Sequence, residues 1–449
     1  MPEQKLTPEQ LIKKAEQPSR DAMRLHPFYR GKVEVTPKSC IRNFDDFAIW
    51  YTPGVAAPCR DIQSNPEKVW EHTNKGNFVA VVSDGTRVLG LGDIGPEAAI
   101  PVMEGKALLF KYLGGVDAFP ICLGTKDPDE IIQAVKWLQP TFGGVNLEDI
   151  AKPKCFRILD TLRKECHIPV WHDDQQGTAA VTAAGLINAL KFVGKAMDQV
   201  RVTMNGAGAS NIRIAHLIIQ AGIDPGKIVM CDSKGTLHRG RTELKETEPE
   251  KWALIEITNA QQLKGKTPDA LKGADVLISL SRSGPGVIPK DWISGMADGA
   301  VVFVCANPVP EIWPWEAKEA GARIVATGRS DFDNQVNNSL GFPGIFRGTL
   351  DVRATTITDE MCLEAARELA RTAEDRGLRE DYLIPTMDDW EVFPREAAAV
   401  GMKAIEQGKA LITDVSYEQL KEKAEKIIKL ARDEAQCLQR EGFIKLPDA

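Results

Sequence analysis

Two short segments place carboxylates where a loop leaves a strand-like run. WHDDQQG carries Asp173 and Asp174 directly after an apolar run, and NLEDI carries Glu148 and Asp149. Adjacent carboxylates are costly in a buried site unless a cation neutralises them. Glu148, Asp149 and one of the two adjacent aspartates would supply the oxygen ligands that Mg²⁺ or Mn²⁺ prefers. The structural alternative stays open, because acids are also favoured in the first turn of a helix.

A glycine-containing loop offers a second kind of chemistry. MNGAGASN follows an apolar run and opens a helical pattern, so Gly206 permits a tight turn and Gly208 lets backbone amides approach a pyrophosphate. Asn211 stands where the third glycine of the dinucleotide fingerprint belongs. Asp232 nevertheless ends the next strand-like run about 20 residues further on, where an acid that binds ribose is expected. The loop and its context therefore predict a dinucleotide site.

The residues after that strand leave the choice of cofactor open. Asp232 by itself favours NAD, because a carboxylate accepts hydrogen bonds from the ribose hydroxyls. Ser233 and Lys234 follow it directly and could instead hold the 2′-phosphate of NADP. The sequence thus predicts NAD or NADP.

Composition limits the kinds of partner. The 449 residues are 43% hydrophobic and 27% charged, with a net charge of -7, so no overall basic surface for nucleic acid is present. No run approaches ~18 apolar residues, so no membrane span is expected. The N-terminus MPEQKLTPEQ lacks an apolar signal core, and the nine cysteines include no C-x-x-C pair. We expect a cytoplasmic protein with free thiols.

The segments that must position these side chains alternate between strand and helix. In the first half, strands are predicted over 77–85, 87–93, 117–124 and 168–173, and helices from about 104 to 115, over 128–139 and over 153–166. In the second half, a small-residue helix follows the WHDD segment, and further strands are predicted over 199–205, 227–235, 274–281, 300–308 and 322–328. Long helical patterns cover 359–377 and 417–442. This alternation is typical of α/β proteins with parallel sheets.

The predicted fold class is α/β, with the active site in the cleft between two domains. Residues 1–172 are predicted to form an N-terminal substrate domain, and residues 173–395 a doubly wound Rossmann-type dinucleotide-binding domain. Residues 396–449 are predicted to form a C-terminal helical segment that packs back or joins a subunit interface.

Seven ordered motifs across most of the chain are similar to those of a known family. They are YTPGVA (51–56), TRVLGLGDIGPEAAIPVMEGKALLFK (86–111), NLEDI (146–150), HDDQQGTA (172–179), NGAGASN (205–211), CANPVPE (305–311) and NNSLGFPG (337–344). On these motifs the chain resembles malic enzymes, of the small prokaryotic NAD(P)-dependent type without an appended acyltransferase-like domain. Gln176 stands where many small members have histidine, and Arg87 resembles the larger eukaryotic enzymes.

The resemblance implies a role for each matching residue. Tyr51 would be the proton donor and Lys106 the general base. The metal ligands would be Glu148, Asp149 and Asp174, with Asp173 as a neighbouring acid. The substrate contacts would be Arg87, Asn307 and Asn338. The cofactor contacts would be Gly206, Gly208, Asp232, Ser233, Lys234 and Asn307.

The implied reaction converts (S)-malate and NAD(P)⁺ to pyruvate, CO₂ and NAD(P)H. A lysine can act as its base only when neutral, so a pKa near ~10.4 must be lowered by burial or by a nearby cation. One alternative is a malolactic-type conversion in which the cofactor stays bound and is not reduced in net terms. Another is a non-catalytic protein that senses nucleotides. The resemblance also implies a homodimer or larger homo-oligomer.

Overall fold

The computed structural model describes residues 8–447, and the first half of this range is built on a four-stranded parallel sheet. Its strands are β1 (Phe78–Ser83), β2 (Asp117–Cys122), β3 (Gly144–Leu147) and β4 (Val170–His172). They lie in the order β2-β1-β3-β4. Runs such as FVAVVS are apolar at nearly every position because helices cover the sheet on both faces.

Seven α-helices are described in this half. They are α1 (Pro8–Tyr29), α2 (Asp46–Trp50), α3 (Ala56–Ser64), α4 (Val69–His72), α5 (Pro96–Gly114), α6 (Pro128–Leu138) and α7 (Lys154–Glu165). Helix α5 begins about two turns before the predicted start near residue 104, because Pro96 suits the first helical position. Asp127 caps α6 by accepting from the amides of Asp129 and Glu130.

The predicted strand over residues 87–93 is wrong. Val88 pairs back with Gly92, and Leu89 has a positive φ of 47°, so the segment turns upon itself. The Arg87 amide donates to the carbonyl of Asp149 instead of to a neighbouring strand. The apolar run predicts a strand here, but Leu89 and Gly92 both have a positive φ, and this forms the tight loop.

The second half contains a six-stranded sheet in the order β10-β9-β8-β5-β6-β7. Its strands are β5 (Val202–Asn205), β6 (Ile228–Asp232), β7 (Gly235–Thr236), β8 (Val276–Ser279), β9 (Val301–Val304) and β10 (Ile324–Thr327). All neighbours are parallel except β6 and β7. The strand order reverses beside β5, where ligands bind in doubly wound sheets. The predicted α/β fold is confirmed.

Helices surround this sheet, and those near the end of the chain contact α5 of the first half. The helices of the second half are α8 (Asp173–Phe192), α9 (Ala209–Ala221), α10 (Leu244–Thr247), α11 (Pro249–Ile257), α12 (Thr267–Leu271), α13 (Lys290–Ser294), α14 (Pro314–Glu319), α15 (Phe342–Asp351), α16 (Asp359–Asp375), α17 (Val392–Glu406) and α18 (Tyr417–Arg440). Helix α18 contacts both α17 and α5, and α15 also contacts α5. The predicted division at 172/173 falls at the start of α8, and that at 395/396 falls within α17; the domain boundaries stay a prediction.

Among the described residues, no helix combines the length and apolarity needed to cross a bilayer. All nine cysteines, from Cys40 to Cys437, carry free thiols.

Helix α17 contains a carboxyl group that is completely buried. Glu396 is 0% exposed, and neither of its side-chain oxygens has a hydrogen-bond partner among the described residues. It lies against Gly344 of α15, where a Cβ atom would collide with it. Burial, followed by the nearby charge of Glu368, raises the pKa of Glu396 well above its ordinary value. The group is therefore folded into the core as a neutral acid.

Replacing Glu396 by glutamine is expected to stabilise the protein by roughly 1–3 kcal/mol at pH 8. The folded state must keep the acid protonated while the unfolded chain ionises it. Its contribution to stability is therefore complete below the unfolded pKa and is lost as pH rises toward the raised folded pKa. Urea unfolding at pH 5 and pH 8 measures this difference. Glu406→Gln, on an exposed side chain of the same helix, is the control. A variant with unchanged pH dependence would contradict the assignment.

Candidate active site

The register of the first sheet brings the predicted acids together. Strands β3 and β4 are parallel neighbours, and Leu147 pairs with His172. Glu148 and Asp149 leave the end of β3, while Asp173 begins α8 directly after β4. The acids therefore meet at the carboxyl edge of the sheet, where α/β proteins bind their ligands.

Three of these acids form one compact cluster. Glu148, Asp149 and Asp174 each offer an oxygen, and these oxygens lie within 4.8 Å of one another. The Asp149 amide donates to Asp174 Oδ2 at 2.9 Å, whereas Asp149 Oδ2 is buried without a partner among the described residues. Asp149 also has a positive φ of 55°, which directs its side chain into the cluster at some cost in backbone strain.

The electrostatics of the cluster indicate that it needs positive charge. Burial is the main cause that raises the pKa of Glu148 well above its ordinary value, although Lys106 opposes the shift. Burial and then repulsion by Asp174 raise the pKa of Asp149 to about 8. Carboxylates held so close together ionise fully only when a cation offsets their repulsion.

The predicted base lies beside the cluster, on the buried face of α5. Lys106 is 7% exposed, and its Nζ is 2.6 Å from Asp173 Oδ2 and 3.2 Å from Glu148 Oε1. The amine also lies 4.4 Å from the centre of the Phe342 ring. Trp171 donates its indole N–H to the other oxygen of Asp173 at 3.1 Å. Asp173 is thus directed toward the lysine, and Asp174 toward the acidic cluster.

The pKa of Lys106 is shifted in the direction opposite to the one that a base requires. Burial lowers the pKa of its amine, but attraction by Asp173 and Glu148 is stronger and raises the pKa above its ordinary value. The protein's own groups therefore favour the protonated amine. A cation held by Glu148 and Asp174 would weaken that attraction and favour the neutral form.

The predicted substrate contacts Arg87, Asn307 and Asn338 lie on three separate segments of the chain. Arg87 is close enough to Asp149 to lower that acid's pKa, in opposition to the dominant burial. A Cβ atom on Gly177, in the first turns of α8, would come 3.2 Å from the Cβ of Asn338. Asn307 lies against Gly328, 3.1 Å from the position that a Cβ would occupy there.

Tyr51 lies at the surface, whereas Lys106, the other predicted catalytic residue, is buried. Tyr51 follows α2 directly and is 71% exposed, so the chain does not bury its ring beside Lys106. Large apolar neighbours in the same segment are also exposed, including Phe44 at 89%. Within the described chain, the segment presents Tyr51 outward.

The glycine loop has the form expected for a dinucleotide site. Gly206 has a φ of 102°, and a Cβ there would come 2.5 Å from the Leu280 carbonyl oxygen, so only glycine fits. A Cβ on Gly208 would meet nothing within 4 Å, which leaves open space at the start of α9. Asn211 replaces the third glycine in a structural role, because its amide donates to the carbonyls of Asn205 and Gly206.

Sequence reasoning missed the cations around the predicted ribose acid. Asp232 Oδ1 accepts from Arg241 at 2.8 Å, and Oδ2 accepts from Lys251 at 3.3 Å. The Lys234 amide also donates to Asp232, whereas the Lys234 and Ser233 side chains are exposed. Arg241 lies nine residues beyond Asp232, in a segment without helical periodicity, so no pattern in the sequence indicated this pairing.

A doubly wound sheet with this loop, together with a buried lysine beside a cluster of acids, is typical of an oxidoreductase that uses a nicotinamide dinucleotide. Family models identify it further: residues 30–163 match the malic enzyme N-terminal domain, and residues 175–405 match the malic enzyme NAD-binding domain. The chain belongs to the malic enzyme family, as its motifs predicted.

Individual relatives agree with this assignment. The chain is 51% identical to the bifunctional malic/malolactic enzyme of Bacillus subtilis, and the match covers 91% of this chain and 98% of the relative. It is 42% identical to the NADP-dependent malic enzyme of Escherichia coli, covering 88% of this chain and 53% of the longer relative. The crystal structure of Entamoeba histolytica malic enzyme superposes with a TM-score of 0.96 at 51% identity, covering 100% of this chain and 94% of that one.

Proposed function

We propose that this member of the family carries out the oxidative decarboxylation of (S)-malate to pyruvate and CO₂, with Lys106 as base. The observation that carries the proposal is the buried Lys106 amine, 2.6 Å from Asp173, beside the cluster of Glu148, Asp149 and Asp174. A hydroxyl group bound there would face a proton acceptor on one side and a place for a cation on the other.

The residues fit a divalent Mg²⁺ or Mn²⁺ ion. The donor set consists of carboxylates, and one buried oxygen of Asp149 has no partner among the described residues. Glu148, Asp149 and Asp174 would hold the ion. When bound, the ion would supply a Lewis acid, and a dinucleotide held at the loop after β5 would supply a hydride acceptor.

The chain's own residues carry the proton transfers in this proposal. Lys106 Nζ accepts the proton of the C2 hydroxyl, while Asp173 keeps the amine in place. After CO₂ leaves, the Tyr51 hydroxyl donates a proton at C3. Arg87, Asn307 and Asn338 would contact the carboxylate and hydroxyl groups of the substrate, and Asn307 would also contact the cofactor.

The test is the formation of NAD(P)H from malate by purified protein supplied with Mn²⁺. A rate that depends on both malate and metal supports the proposal, and no turnover under these conditions would refute it. A malolactic reaction is the second candidate, because the Bacillus subtilis relative is named a bifunctional malic/malolactic enzyme. Steady lactate formation without accumulating NAD(P)H would favour that reaction.

We also propose that the enzyme accepts both NAD⁺ and NADP⁺, with Arg241 favouring the latter. Asp232 can bind ribose hydroxyls, while the adjacent guanidinium offers a fork of donors to a 2′-phosphate. Both groups are only 10% exposed at the side chain and are held 2.8 Å apart. The ribose hydroxyls of NAD⁺ would therefore bind to Asp232, and the 2′-phosphate of NADP⁺ would bind to Arg241.

Replacing Arg241 by alanine is expected to lower kcat/KM for NADP⁺ about 10-fold relative to NAD⁺, because one charge-assisted hydrogen bond to phosphate is lost. Initial rates with each cofactor at saturating malate measure the ratio. Arg239→Ala, two residues away on the surface, is the control. An unchanged cofactor ratio in the Arg241 variant would contradict this role.

The exposed position of Tyr51 supports a homodimer whose active sites are shared. Phe44, Ile49 and Trp50, close to Tyr51 along the chain, are exposed apolar side chains, and a concentration of such side chains marks interfaces between proteins. We propose that a second copy of the chain covers these side chains and receives Tyr51 beside its own Lys106. Each site would then need residues from two copies.

Hybrid dimers provide a direct check. A dimer that combines a Tyr51→Phe chain with a Lys106→Met chain contains one intact site only when the tyrosine acts across the interface. Differently tagged chains, purified as hybrids, are expected to regain roughly half of the wild-type activity, because one of two symmetric sites is complete. Hybrids as inactive as either parent would show that both residues act within one chain.

A further inference from the structure

The segment from Cys40 to Tyr51 is held together by its own hydrogen bonds. Nearly every residue of this segment is exposed, but Asp46 at the start of α2 is only 4% exposed. An exposed segment that does not join the core is normally mobile unless local contacts restrain it. Its internal contacts therefore decide how Tyr51 is presented.

One of these contacts joins Arg42 to Asp46 through three hydrogen bonds. The Arg42 backbone amide donates to Asp46 Oδ2 at 2.6 Å, and the Nε of the Arg42 side chain donates to the same oxygen at 3.1 Å. Arg42 Nη2 donates to Oδ1 at 2.7 Å, so the guanidinium binds both carboxylate oxygens. This arrangement fixes both the distance and the orientation of the two groups. The hydrogen bonds from Arg42 also hold the pKa of Asp46 below its ordinary value.

A second set of contacts connects this ion pair to Tyr51. The Trp50 indole donates to the Cys40 carbonyl at 3.1 Å, which ties the end of α2 to the residues before Arg42. The Tyr51 amide donates to the Phe47 carbonyl at 2.8 Å. Tyr51 therefore follows a helix of five residues that is anchored at both ends. Loss of the first anchor would free the helix and displace the phenol.

We propose that Arg42 and Asp46 are positioning residues that fix α2 and thereby direct the Tyr51 hydroxyl for proton donation. The proposal rests on the function proposed above, in which Tyr51 is the proton donor. Arg42 is 73% exposed and Asp46 is 5% exposed at the side chain, so solvent can replace the guanidinium beside Asp46 once Arg42 is removed, and the cost in global stability should be small. The consequence of breaking the pair should thus appear in catalysis and not in unfolding.

A double-mutant cycle tests this connection. Arg42→Ala is expected to lower kcat about 10-fold, since displacement of a catalytic group by a fraction of an ångström is costly. The KM for malate and the unfolding midpoint should stay close to wild type, and Arg42→Lys should recover part of the loss. In a Tyr51→Phe background, the same Arg42→Ala change should cause no further loss, because the group that it positions is already absent.

The control and the contrary outcomes separate this proposal from the function on which it rests. Arg157→Ala breaks another exposed Arg–Asp pair, with Asp129, and should leave kcat unchanged. If Tyr51→Phe lowers kcat but Arg42→Ala does not, or if the two effects multiply fully, the positioning role is refuted alone. If Tyr51→Phe has full activity, the proton-donor role fails and the positioning role fails with it.

Discussion

Replacement of Lys106 by methionine is expected to lower kcat by about 10²–10⁴-fold, the usual contribution of a proton-transfer group. Methionine keeps most of the side-chain volume but removes the amine that lies 2.6 Å from Asp173. Steady-state rates of NAD(P)H formation from malate measure the loss. Binding of NADH, followed by its fluorescence, should persist because the dinucleotide loop lies on the second sheet.

Two further measurements make the Lys106 result specific. Lys106→Ala leaves space, so added ammonia or methylamine should restore part of the rate if the amine acts as a base. Lys111→Met is the matched control, because Lys111 lies on the same helix but is 40% exposed and pairs with Asp117 and Glu434. Full activity of the Lys106 variants would assign the proton transfer to another group.

The second large effect concerns the acidic cluster. Asp174→Asn is expected to weaken Mn²⁺ binding roughly 100-fold, because one of three anionic oxygen donors becomes neutral. Chelation of the wild-type enzyme with EDTA should abolish turnover in the same way, and Mn²⁺ should restore it. Titration of Mn²⁺, followed by electron paramagnetic resonance, reports binding independently of activity.

A matched acid separates this effect from a general change in charge. Asp160→Asn removes an exposed carboxylate from α7 and should leave both Mn²⁺ affinity and kcat unaltered. The contrary result would be an Asp174→Asn protein that binds Mn²⁺ as tightly as wild type. That finding would remove Asp174 from the ligand set, whatever its rate.

The sequence alone was enough to predict the family, the fold class and most of the strands. These features depend on local signals: apolar runs of strand length, the glycine loop before a helix, and motifs that occur in order along the chain. The strand predicted over residues 87–93 is wrong, and the segment forms a tight loop. The run contains three large apolar residues, but Leu89 and Gly92 have a positive φ, and the Arg87 amide donates to the Asp149 carbonyl instead of to a strand.

The tertiary structure decided what the local pattern left open. Asp173 and Asp174 are adjacent in sequence, and pattern alone did not distinguish them. The fold directs Asp173 toward Lys106, 67 residues earlier, and Asp174 toward Asp149, 25 residues earlier. The pairing of Asp232 with Arg241 and the outward position of Tyr51 were likewise absent from any motif. Charge and burial at a site depend on which distant segments meet, and only the packed chain determines that.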